Sequence, residues 1–87
     1  MYQYRIYTER TKALSAQIDE ITKVTPAFTL IETSGYWRGI PEKSIIFEII
    51  DDDLTFRDIP RLAQEIKRLG CQEAVLCTKQ TIETSLI

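Results

Sequence analysis

An 87-residue chain with 11 Lys and Arg against 13 Asp and Glu, a net charge of −2 and no histidine excludes several broad classes at once. It is one domain's worth of chain, able to bury only about 60 to 65 % of its unfolded surface. Its 44 % hydrophobic and 28 % charged residues fit a globular fold rather than disorder. The acidic balance opposes general nucleic-acid binding, which needs a basic surface. The longest apolar run is far too short to span a bilayer. Met1 to Arg5 reads as strand rather than as the charged start of a secretory leader, so the cytoplasm is the expected compartment.

Tyr2 to Glu9 alternates, with Tyr2, Tyr4 and Ile6 on one side and Gln3, Arg5 and Tyr7 on the other, which predicts a half-buried strand. From about Thr11 the period lengthens. Leu14, Ile18 and Ile21 recur at helical spacing, so an amphipathic helix is expected, closed by Pro26 because the residue before a proline is pushed out of the helical region. Ala27 to Thr33 predicts a second strand, with Phe28 and Leu30 facing one way and Thr29 and Ile31 the other. Gly39-Ile40-Pro41 is turn chemistry, and Lys43 to Asp51 predicts a third strand, giving a hairpin whose tip carries Trp37 and Arg38. Ile45, Phe47 and Ile49 take one face of that strand. The other, Ile46, Glu48 and Ile50, is also largely apolar, which suits a strand covered on both sides.

Asp51-Asp52-Asp53 ends the strand, and a second helix follows, capped by Thr55 or by Asp58, with Pro60 then in the first turn. Ile59, Leu62, Ala63, Ile66 and Leu69 form its apolar stripe, and Gly70 is the expected left-handed stop. Gln72 to Lys79 predicts a fourth strand, nearly continuously apolar from Ala74 to Cys77, and the weak alternation of Gln80 to Ile87 a fifth short strand or a docking arm. Cys71 and Cys77, placed in one strand, stand about 20 Å apart. That is too far for a disulfide, so both are expected as free thiols packed like small core hydrophobes.

The order βαββαβ plus a tail specifies an α+β class, a ferredoxin-like sandwich in a single domain spanning 1–87. Two helices cover one face of an antiparallel sheet and the other face is open. The open face collects Arg5, Tyr7, Ile31, Ile46, Glu48 and Ile50, a mixed surface of the kind that marks an interface or a ligand site.

Each candidate has a plain alternative. Trp37 with Arg38 can stack a planar ligand and hold a phosphate, yet a tryptophan packed at a sheet end or in a subunit interface, beside a solvated arginine, is the commoner outcome. The Asp51-Asp52-Asp53 run offers oxygen ligands for Mg²⁺ or Ca²⁺ but lacks the spaced acceptors and closing glutamate of a dedicated loop, so a solvated turn is favoured and no metal is expected. Gln72-Glu73 can read a polar ligand or simply end a strand. Tyr2, Tyr4 and Tyr7 with Arg5, Arg10 and Lys12 suggest RNA stacking, but Ile45-Ile46-Phe47-Glu48-Ile49-Ile50 is the wrong strand for an RNA-recognition module. Catalysis lacks its usual marks. There is no histidine, no Ser or Cys with an evident base, and with only Gly35, Gly39 and Gly70 no phosphate-cradling loop. A binding protein that is not an enzyme and carries no cofactor is the expectation.

Gly35-Tyr36-Trp37-Arg38, Glu42, the strand Ser44 to Ile50, the helix ending in Leu69-Gly70 and the phrase Gln72-Glu73-Ala74-Val75-Leu76 together resemble a group of small ferredoxin-like proteins of bacteriophages and prophages. Those show a G-x-W hairpin, an apolar strand and a Gln-Glu-(Ala/Ser)-Val strand. The match runs from Thr29 onward through short motifs, and Cys71 departs from it where a small or glycine-like residue is expected. The resemblance implies a phage-encoded homo-oligomer in the host cytoplasm, a counter-defence factor that sequesters a small anionic, nucleotide-derived ligand. Trp37 would stack the base and Arg38, Arg5 or Lys43 hold phosphates, with Tyr7, Glu48 and Gln72 completing the ligand-binding set. The alternative is an interaction module or inhibitor that docks on a host protein through the open face.

Overall fold

The computed structural model describes residues 1–23, 25, 27–51 and 58–87, with only the backbone of Asp58. Its elements are β1 (Tyr2–Glu9), α1 (Lys12–Ala16), α2 (Ile18–Ile21), β2 (Thr29–Trp37), β3 (Ile40–Asp51), α3 (Asp58–Leu69) and β4 (Leu76–Thr81). They form the ferredoxin-like α+β sandwich: a four-stranded sheet in the order β2-β3-β1-β4, antiparallel throughout. The expected closure of the first helix at Pro26, the caps at Thr55 or Asp58, and Asp52 and Asp53 of the acidic run lie outside the described residues. Among those residues no helix is long and apolar enough to cross a membrane.

The register explains the layering. Residues directly opposite in antiparallel strands share a face, so the pairs Tyr4↔Ile49, Ile6↔Phe47 and Thr8↔Ile45 stack one buried face across β1 and β3. Leu14, Ile21 and the α3 stripe Ile59, Leu62, Ala63, Ile66 and Leu69 close the core over it, while Phe28 packs on Phe47 with ring centroids 5.6 Å apart. The tilted rings add an aromatic contact of about 1 kcal/mol to the burial.

The first helical region differs from the expected continuous helix. It breaks at Gln17, whose φ of −125° and ψ of 17° leave the helical region and whose N–H turns back to the Leu14 carbonyl at 3.0 Å. Leu14 thereby stays close to Gly70, where an added Cβ would meet the Ile66 carbonyl at 3.2 Å and Leu14 Cβ at 3.5 Å. Gly70 is thus a contact glycine rather than the left-handed terminator. The positive φ of 54° falls one residue later, on Cys71. The Cys71 N–H donates to the Arg68 carbonyl at 3.2 Å and the Gln72 N–H to the Lys67 carbonyl at 2.9 Å, the paired bonds of a Schellman stop. Thr11 ties both helix ends together: its hydroxyl accepts from the Leu14 N–H at 3.1 Å, as an N-cap, and donates to the Gly70 carbonyl at 3.2 Å.

The hairpin is longer than its sequence suggested. Trp37 pairs with Ile40 across a two-residue turn, Arg38-Gly39, whose φ values of 52° and 79° are the positive pair that suits the sheet's twist. Pro41, read as turn, is a strand residue opposite Tyr36. It is tolerated because β3 has there run past β1, whose pairing stops at Glu9↔Ser44, and is bonded on one side only. The fourth strand begins at Leu76 rather than Gln72 and runs on to Thr81, so Gln80 and Thr81 extend β4 and no described fifth strand forms. Cys71 consequently lies in the loop and Cys77 in β4. Both are free, as expected, but exposed rather than packed in the core.

Candidate functional site

Because β1 ends at Glu9 while the β2–β3 hairpin continues, a notch opens beyond the end of β1, walled on one side by the hairpin arm and on the other by the loop from Gly70 to Leu76. The result is a groove of about 1110 Å³. Tyr7 and Glu9 come from β1, Thr33, Gly35 and Trp37 from β2, Glu42, Ser44 and Ile46 from β3, and Cys71, Gln72, Glu73 and Leu76 from the loop and the start of β4. Gly35 leaves room for the Ser44 hydroxyl, since a Cβ there would stand 2.8 Å from Ser44 Oγ and force it to turn away. Among the described residues, three carboxylates, Glu9, Glu42 and Glu73, line the groove with two aromatic rings and no Lys or Arg. No group of three or more Asp, Glu, Cys or His among the described residues is arranged to hold a metal ion.

The seven ligand-binding residues expected from sequence divide into separate places. Tyr7, Trp37 and Gln72 line the groove, and the Gln72 side-chain amide is already engaged, donating to the Gly70 carbonyl at 3.2 Å. Arg5 and Glu48 are cross-strand partners on the open face, where Arg5 Nε and Nη2 both reach Glu48 Oε2 at 2.9 Å. The Glu48 side chain is only 16 % exposed. Tyr7 first, and Glu48 second, hold the Arg5 guanidinium charged above its ordinary range. Arg38 sits at the turn with its guanidinium 5.6 Å from the Trp37 ring centroid. Lys43 lies in a separate shallow hollow with Arg10 and Glu32, which are themselves ion-paired. Neither Arg38 nor Lys43 lines the groove.

Glu9, Glu42 and Cys71 were not anticipated as site residues, and Glu73 only as half of the Gln72-Glu73 pair that can read a polar ligand or end a strand. Glu42 and Glu73 stood inside the motifs of the phage-protein resemblance, and that was the available signal. Among the described residues two that are not glycine have positive φ, Cys71 in the groove's lining and Arg38, outside it but next to Trp37. Backbone held in the left-handed region at non-glycine residues costs about 1 to 3 kcal/mol and collects at functional sites.

No protein-family model and no curated protein sequence matches this chain. Solved structures do. A phage SAM lyase in its apo state superposes with a TM-score of 0.68 over 91 % of this chain and 78 % of its own, at 19 % identity. The periplasmic divalent cation tolerance protein CutA from Archaeoglobus fulgidus gives 0.55 at 15 % identity, covering 99 % of this chain and 88 % of that one. A de novo designed protein, Foldit4, gives 0.50 at 19 % identity, covering 94 % and 96 %. That a designed protein shares the architecture shows how little the fold alone says of activity. The expectation that the chain is not an enzyme is nevertheless overturned by the SAM lyase, in which this fold hosts catalysis. A missing histidine does not by itself argue against catalysis, because carboxylates also transfer protons. At these identities the chain is similar in fold to a phage enzyme and to CutA, and that likeness is to a ferredoxin-like architecture.

Proposed function

We propose that this chain is a small-molecule enzyme whose groove takes an organic cation, with S-adenosylmethionine, named by the phage SAM lyase, as the first substrate to test. The observation that carries the reading is the lining of the groove: Glu9, Glu42 and Glu73 with Tyr7 and Trp37, and no basic side chain among the described residues. Carboxylates attract a cation through space, and aromatic faces attract it through their quadrupoles, by about 0.5 to 2 kcal/mol each. A sulfonium fits such a lining and also explains how a chain without histidine does chemistry. Breaking a carbon–sulfur bond of a sulfonium releases a neutral thioether, so the leaving group needs no proton. The protein has only to orient the substrate, exclude water and, where a proton is removed, supply a carboxylate.

Sequestration of an anionic nucleotide, as a counter-defence sponge, is the second reading. It rests on Arg38 beside Trp37 and on Lys43, both outside the groove. Calorimetric titration separates the two readings. S-adenosylmethionine should bind at least about tenfold more tightly than S-adenosylhomocysteine, which has the same framework without the sulfonium charge, since two cation–π contacts to solvent-facing rings are together worth about 1.4 kcal/mol. Chromatography of the same mixture should show S-adenosylmethionine consumed and a neutral thioether released. Equal affinity for the two compounds with no turnover, or tighter binding of cyclic nucleotides than of either, defeats the cation reading.

A further inference from the structure

The helix-free face of the sheet carries Ile31, Ile46, Ile50 and Leu76 around the central Arg5–Glu48 pair. We infer that this face packs against the same face of another copy of this chain, with Arg5 of one copy reaching Glu48 of the other. The inference is independent of the ligand proposed above.

Three features select another copy as the occupant. The sheet edges are guarded against pairing. Glu32 on β2 lies opposite Ile45, and Lys79 on β4 lies opposite Tyr4, so each edge strand carries a charge on the helix side, a device that discourages edge-to-edge growth. That leaves the face as the broad surface of the sheet for association. That face is also large enough. Four strands spaced about 4.8 Å apart and about 27 Å long present about 500 Å² per copy, and two copies reach the roughly 1,000 Å² that separates stable interfaces from incidental contacts. Finally, the face is self-complementary in charge. It offers one cation and one anion in directly opposed cross-strand positions, so a symmetric contact can set guanidinium against carboxylate in both directions. A polyanion would instead meet Glu48. Tyr7, Ile46 and Leu76 belong to both this face and the groove, so the other copy would stand at the groove's border.

The test is a charge swap read by native mass spectrometry. The double variant Arg5→Glu with Glu48→Arg keeps the pair within each chain and reverses its sense. It should assemble with itself as wild type does, yet mixed species with isotope-labelled wild type should be depleted at least about 100-fold, because every contact between the two types sets like charge against like. A role confined to one chain predicts free mixing. Ile50→Glu, at a side chain 48 % exposed in the single chain, should weaken assembly by a similar factor with an unchanged circular dichroism spectrum, and reports on the face even if the swap misfolds. A wild type that is monomeric at high micromolar concentration, mixed species at statistical abundance, or an assembly indifferent to Ile50→Glu overturns the inference, whether the true occupant is then a host protein or none.

Discussion

Arg38→Asn tests the geometry of the hairpin tip directly. Arg38 holds the first central position of the two-residue turn at φ 52°, ahead of Gly39 at 79°, and Asn-Gly is the dipeptide such turns favour. A long side chain in the left-handed region costs about 1 kcal/mol, most of which asparagine avoids because its short side chain bonds locally to the backbone. The substitution also removes the guanidinium from the Trp37 ring, 5.6 Å from its centroid, a contact worth about 0.5 kcal/mol at an exposed site. The net gain is about 0.5 kcal/mol, a rise in Tm of about 2 to 4 °C for a domain of this size. In a Trp37→Leu background there is no ring to lose, so the gain should double to about 1 kcal/mol. Thermal unfolding followed by circular dichroism across the four variants reads both terms. A lower Tm for Arg38→Asn, or the same gain with and without the tryptophan, would refute this account of the turn.

The same logic predicts that Cys71→Gly raises stability by about 0.5 to 1 kcal/mol, since Cys71 holds the left-handed position of the α3 stop at φ 54°; urea unfolding checks it. Phe47→Ala, which empties a fully buried site on a central strand against Phe28 and Ile6, should cost about 3 to 5 kcal/mol. That is a large part of the roughly 4 to 13 kcal/mol expected for 87 residues, so the variant should unfold at much lower urea than wild type. Cys77 is exposed as a residue, yet partial desolvation of its thiol raises it above its ordinary value. The folded state therefore keeps a proton that the unfolded state releases, and this contribution to stability is complete below the unfolded thiol's pKa and lost as pH rises through the folded one. In a Cys71→Ser background, Cys77 should be alkylated slowly, with a rate that rises only above the pH at which a free cysteine ionises.

Much of the fold was legible because single patterns were strong. Strict alternation marked β1 from Tyr2 to Glu9, and the stripe from Ile59 to Leu69 marked α3. The two apolar sides of β3 suggested a strand covered on both, whereas the helices cover only the side with Ile45, Phe47 and Ile49 and leave Ile50 48 % exposed, although the register does place β3 between β1 and β2. The misses were places where long-range packing overrode a local rule. Pro41 reads as turn unless one knows that β3 outruns its neighbour. Gly70 reads as a left-handed stop unless one knows that Leu14 comes close to it. Gln17 carries no local breaking signal. The groove was the least legible feature, because Glu9, Glu42 and Glu73 are far apart in sequence and each alone looks like a solvated strand end. Only the topology brings them around one opening.

The order β2-β3-β1-β4 also has a kinetic side. β1 is a central strand, yet one of its two neighbours, Leu76 to Thr81, is made about seventy residues after it. During synthesis β1 and the β2–β3 hairpin can assemble early, while the flank of β1 with Gln3, Arg5 and Tyr7 waits unzipped. Closing so distant a pair is slow, and until it closes the nascent sheet exposes an unblocked ribbon of backbone to any passing strand. β4 therefore acts as the latch of the domain, and variants that weaken it should reveal themselves first as poor yield from ribosomes rather than as a lower melting point.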